Sequence, residues 1–223
     1  MGLPKKVFIS YKYSDVVEGR ENIFNFRDDL IKRLGLRGLV HKGEDKESFD
    51  LHNYSEQQII AKIAPYVKKS SITVVLISPN AKKSKWIPWE ISMSLRQRVY
   101  KYEQNMTRNG IIGVYLPLNA NLVPSKNGDY SFYHTSNQYG EITHHTNKFP
   151  KMIKDNSFNL INGAYPSSSG DGSSVYSAIE GSYIELVDWN NFISNIDMYI
   201  ERAWDRRNKF DKYNIRIDLK EGK

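Results

Sequence analysis

The amino-acid sequence predicts an α/β domain built on an open, doubly wound parallel sheet. Three observations carry this. Short apolar runs without alternation, above all Ile72–Ile77 (ITVVLI), read as strands buried on both faces. Segments with apolar residues at helical spacing stand between those runs. The two kinds alternate in the order β, α, weak β, α, β, α, β, long insert, β, α.

Val7, Phe8 and Ile9 form the first strand, which stops at Ser10. Ile23, Phe26, Leu30, Ile31 and Leu34 give the first helix its apolar face, and Gly35 and Gly38 end it. Leu39-Val40 predicts a very short edge strand, followed by a charged loop from His41 to Asn53. Ser55 predicts the N-cap of the next helix, with Gln58 as its capping-box partner. Ile72–Ile77 predicts the central strand, broken by Ser78-Pro79-Asn80, and a helix follows over Trp86–Tyr102. Ile111–Leu116 is another strand, stopped by Pro117. Residues 119–182 form a polar insert without clear periodicity, in which Gly163–Ser174 reads as a loop. Tyr183–Val187 predicts the last strand, and Asp188 caps a final helix with a clean apolar stripe from Trp189 to Trp204. The pattern fits a flavodoxin-like five-stranded sheet in the order 2-1-3-4-5. Ligands of such sheets bind outside the strands' carboxyl ends, between strands 1 and 3.

One domain is expected over residues 1–205, with a charged tail over 206–223. Hydrophobic residues make up 39% and charged residues 26%, enough to bury a core, so wholesale disorder is not expected. The net charge is +7, and the tail supplies +4 of it with seven basic and three acidic residues. Such a balance favours anionic partners. The tail reads as solvated and frayed. A nucleic-acid arm would be denser in charge, so nucleic acid is not the expected partner. Absence of cysteine excludes disulfides, thiolate metal sites and a Cys nucleophile, and fits a reducing, cytoplasmic setting. The N-terminus lacks a signal-peptide pattern, and no apolar run approaches membrane-spanning length, so no membrane partner is expected. His134, His144 and His145 match no standard zinc spacing, and no resident metal or cofactor is expected. Neither a G-x-G-x-x-G nor a Walker sequence is present.

The switch-point rule selects two loops. One begins Ser10-Tyr11-Lys12-Tyr13-Ser14-Asp15; the other runs from Ser78 to Glu90. Their hydroxyls and amides suit ribose and phosphate, and their aromatic faces suit a ring. VFISYKYSD resembles the opening motif of TIR domains, in which a strand runs into Ser-aromatic-x-x-x-Asp. VVLISPNAKKSKWIPWEI resembles their second motif: a Ser-Pro strand end, then Ser-x-Trp, then an acidic residue four positions past the Trp. The closing VDW with its amphipathic helix is similar to the bacterial TIR-like group that includes the NAD-processing subunit of Thoeris anti-phage systems.

The resemblance implies that Glu90 is catalytic and that NAD⁺ is the substrate, cleaved at its nicotinamide–ribose bond. It implies contacts to NAD⁺ from Ser10, Tyr11, Tyr13, Asp15, Ser78 and Trp86, and from Asp45 in the loop Lys42–Asp50. Each side chain also has a plainer role open to it. Glu90 is otherwise a solvated helix residue. Trp86 otherwise packs its helix on the sheet, and Tyr11 and Tyr13 are otherwise core. Asp15 otherwise caps the first helix, and Ser10 and Ser78 otherwise cap strand-end amides. The Lys42–Asp50 loop is a gate, a self-association surface or a solvated loop. Self-association through the domain and a downstream effector that senses the product are the partners implied. A catalytically idle TIR scaffold and a nucleoside deoxyribosyltransferase-like enzyme are the alternatives.

Overall fold

The computed structural model describes residues 5–12, 23–35, 54–99, 106–139, 142–161 and 181–217. Four strands form a parallel sheet: β1 (Val7–Ser10), β2 (Ile72–Ile77), β5 (Gly110–Tyr115) and β8 (Ile184–Asp188). They lie side by side in that order. The register sets Ser10 beside Val75, Val75 beside Gly113, and Ile77 beside Tyr115. The carboxyl ends therefore share one edge. The expected edge strand Leu39-Val40 lies outside the described residues, as do the charged loop before Asn53 and the loop Gly163–Ser174.

Alternation of side chains splits the sheet into two apolar faces. Val7, Ile9, Val74, Leu76, Ile112 and Val114 pack under α1 (Ile23–Gly35), α5 (Trp189–Ser194) and α6 (Ile196–Asn208). Val75, Ile77, Ile111 and Tyr115 face the other way, against α3 (Trp86–Leu95) and the insert. Phe8 also faces that way and packs on α2 (Glu56–Lys69) through Ile59, Ile63 and Val67. The predicted capping box is present: Ser55 accepts from Gln58 N, and the Gln58 side chain accepts from Ser55 N at 2.8 Å. Asp188 caps α5 by accepting from Asn191 N at 2.8 Å.

Three expectations are corrected. The helix predicted over 86–102 stops at Leu95, because its last carbonyls are taken by later residues. Arg108 Nη1 donates to Leu95 O, and Asn109 N donates to Ser94 O at 2.9 Å. The chain then forms an antiparallel pair of two-residue strands, β3 (Arg98–Val99) and β4 (Met106–Thr107). The single final helix is two, α5 and α6, joined at Asn195 (φ −135°, ψ 36°). The tail is not a solvated arm up to residue 217. Arg206 and Arg207 are buried, and Arg207 Nε donates to Arg108 O at 2.9 Å. Asn156 holds both backbone groups of Arg216, at 2.8 Å each.

The described part of the insert carries short regular elements. It contains the hairpin β6 (His134–Ser136) and β7 (Ile142–His144), and the short helix α4 (Lys151–Asp155). Tyr133 anchors it by donating from its hydroxyl to Ile77 O at 3.0 Å. No described helix is long and apolar enough to cross a membrane.

His134 and His144 face each other across this hairpin, 6.1 Å between ring centroids, with both rings edge-on to Tyr115. Among the described residues, His134 Nδ1 and His144 Nε2 are buried without a hydrogen-bond partner. Burial, reinforced by His134 and His145, pushes His144 down from 6.5 to about 4, and burial also lowers His134. Asp188 partly offsets this at His134. The unfolded chain thus binds protons that the folded hairpin rejects. Stability contributed here is complete above about pH 6.5 and is lost as the pH falls toward 4. Urea midpoints at pH 7 and pH 4.5 should diverge more in the wild type than in His144→Phe. An equal divergence would discard the role of His144.

Candidate functional site

Ser10 is the last residue of β1 and lies two positions beyond Phe8, so both side chains point to the α2–α3 face. Glu90 belongs to the inward stripe of α3, with Ile87, Ile91 and Ser94. Geometry then forces the pair together. Glu90 is 3% exposed and Ser10 is 1% exposed, which excludes the solvated-helix reading of Glu90. The Ser10 hydroxyl donates to Glu90 Oε2 across 80 residues of sequence. A buried carboxylate loses its hydration and needs such donors.

The turn from β2 to α3 sets the position of Glu90. Ser78 is fully buried at the end of β2, and its carbonyl accepts from Ala81 N at 3.0 Å. Ser84 Oγ accepts from Trp86 N and Ile87 N, both at 3.2 Å, and so satisfies the first amides of α3. Farther along the helix, Ser94 Oγ shares a hydrogen bond of 2.8 Å with Thr73 on β2. The helix is held at both ends, and Glu90 has a fixed place over the tip of β1.

The other candidates divide. Ser78 stands at the same sheet edge as Ser10 and Glu90. Tyr11 does not join them. Its ring turns to the opposite face, edge-on to Phe24 at 6.0 Å, and its hydroxyl accepts from Arg27 Nη1 at 2.9 Å. Strand alternation dictates this, since Tyr11 follows Ser10 by one residue. The stacking role expected for Tyr11 gives way to the core role. Trp86 is half-buried against the Phe8–Ile59–Ile63–Val67 cluster, so it packs α3 on α2. Tyr13, Asp15 and Asp45 lie outside the described residues.

Arg27 is the residue that sequence reasoning missed. It is 6% exposed, and its guanidinium lies 4.8 Å from the Phe24 ring centroid. The signal was present: Arg27 interrupts the apolar stripe of α1, four residues after Ile23 and three before Leu30. A cation there needs a polar partner inside, and Tyr11 supplies it. Among the described residues, no group of three or more His, Asp or Glu side chains is arranged to hold a metal ion.

A family model described as the Thoeris protein ThsB, TIR-like domain, matches residues 8–121. That is just over half of the 223-residue chain. The matched span begins in β1 and runs past β5, so it contains Ser10, Ser78 and Glu90 together with the elements that place them. The chain belongs to the Thoeris ThsB TIR-like family, a group of TIR domains of anti-phage defence.

Proposed function

We propose that this domain cleaves the nicotinamide–ribose bond of NAD⁺, with Glu90 as the catalytic residue. The observation that carries this is a buried carboxylate at the carboxyl edge of the sheet, held by the hydroxyl of Ser10. In the reaction the C1′–N bond breaks and its electron pair goes to the pyridinium nitrogen. Nicotinamide leaves neutral, so no leaving-group acid is required. The ribose is left with oxocarbenium character. A desolvated carboxylate close to that centre stabilises the transition state more than the ground state. The cation is then captured by water, by a hydroxyl of the same ADP-ribose, or by another acceptor, whose proton is released. The product is a signal for a downstream effector, and assembly through the domain completes the pocket.

Ser10 acts on the carboxylate rather than on the sugar. Its hydroxyl fixes the rotamer of Glu90 and offsets part of its burial cost. Hydrogen bonds to charged groups contribute about 1.5–3 kcal/mol, so Ser10→Ala should lower kcat at least roughly tenfold. KM should change little. A KM rise with unchanged kcat would make Ser10 a substrate ligand instead.

The whole proposal is tested by incubating the purified full chain with NAD⁺ and following nicotinamide by chromatography, beside Glu90→Gln. Assembled protein that binds NAD⁺ yet releases no nicotinamide would refute it.

A further inference from the structure

The turn between β2 and α3 is rich in charge of one sign. From Ser78 to Trp89 it contains Lys82, Lys83 and Lys85 and no acidic residue. Lys85 is occupied: it pairs with Glu56 and lies over the Trp86 ring. Lys82 and Lys83 are exposed, and among the described residues neither meets a carboxylate within ion-pair distance.

These two lysines are not on a loose loop. Lys83 N donates to Asn80 O at 2.9 Å, and Ser84 N donates to Ala81 O at 3.0 Å. Ala81, which precedes them, is fully buried. The turn thus offers two cations from a fixed backbone at the carboxyl edge of the sheet. Glu90 lies four residues into the following helix, about 6 Å farther along its axis at 1.5 Å per residue.

We propose that Lys82 and Lys83 form a subsite for the diphosphate of a nucleoside diphosphate. This deepens the function proposed above and rests on Glu90 marking the place of the ribose. A lone carboxylate attracts a pyridinium but repels the two phosphate charges of the same molecule. Paired cations on the turn that leads into the helix of Glu90 counter that repulsion and orient the dinucleotide, diphosphate toward the turn and sugar toward Glu90. Their exposure makes the attraction sensitive to salt.

The test is ADP binding by calorimetry with the full chain, with adenosine as the uncharged comparison. Wild-type protein should bind ADP more tightly than adenosine, and the difference should shrink as salt rises. Lys82→Glu/Lys83→Glu should weaken ADP binding by about tenfold or more, since charge-assisted contacts to phosphate are of that size. Adenosine binding should be unaffected. Lys68→Glu/Lys69→Glu, exposed at the opposite end of the sheet, makes the same change in net charge and should alter neither. The subsite is overturned if wild-type protein shows no preference for ADP, if the Lys82/Lys83 variant binds ADP as tightly as wild type, or if the Lys68/Lys69 variant loses as much. Glu90→Gln removes the repelling carboxylate and should bind ADP at least as tightly as wild type. Should it also keep its nicotinamide release, the catalytic proposal fails while the diphosphate subsite stands.

Discussion

Glu90→Gln should reduce nicotinamide release from NAD⁺ by on the order of a thousandfold, the scale seen when one preorganised electrostatic group is removed from a transition state. The change is nearly isosteric. The amide that replaces the carboxylate can still accept from the Ser10 hydroxyl and still fill the stripe between Ile87 and Ile91. What is lost is the carboxylate, and with it the stabilisation of the ribosyl cation proposed for Glu90. Folding should survive, and removal of a buried charge should leave the melting temperature unchanged or raise it. ADP-ribose should bind at least as tightly as before, since the carboxylate that repels its phosphates is gone. The measurement pairs nicotinamide release with a thermal melt, so a fall in rate through unfolding is visible. Undiminished turnover in a folded Glu90→Gln variant would take Glu90 out of the chemistry.

Gly110→Ala should lower the folding free energy by about 3 kcal/mol, the upper range for overpacking a close-packed interior. Gly110 opens β5 directly beneath α6. A Cβ built there meets Ala203 O at 2.1 Å and Ala203 C at 2.6 Å. Both are backbone atoms of α6, so no side-chain rotation relieves the contact. The helix must move off the sheet, and the buried residues Ile200 and Ala203 move with it. For a chain of this size the loss corresponds to roughly 6–12 °C in Tm. Urea unfolding and a thermal melt both report it. A variant as stable as wild type would mean that α6 does not approach β5 this closely.

Ser10 shows how far local pattern reaches into the site. Its place at the end of an apolar strand is visible in sequence, and so is the Ser84-x-Trp86 spacing that leads to Glu90. The partnership between Ser10 and Glu90 is not visible, because 80 residues separate them. Tyr11 is a sharper case. Sequence left it open between ring stacking and core, and a single step of strand alternation sends it to the face opposite Ser10. Arg27 then makes use of its hydroxyl.

The four described parallel strands, the helices α1, α2 and α3 among them, the Ser55 capping box and the Asp188 cap were readable from the amino-acid sequence. Their causes act within a few residues, through side-chain period and cap hydrogen bonds. The end of α3 at Leu95, the burial of Arg206 and Arg207 and the inward aim of Glu90 were decided by tertiary structure. Each depends on a partner from a distant element: Arg108 for Leu95, the β4–β5 junction for Arg207, and the tip of β1 for Glu90. Periodicity tells which side of a helix turns inward, but only the packed sheet determines which group waits there.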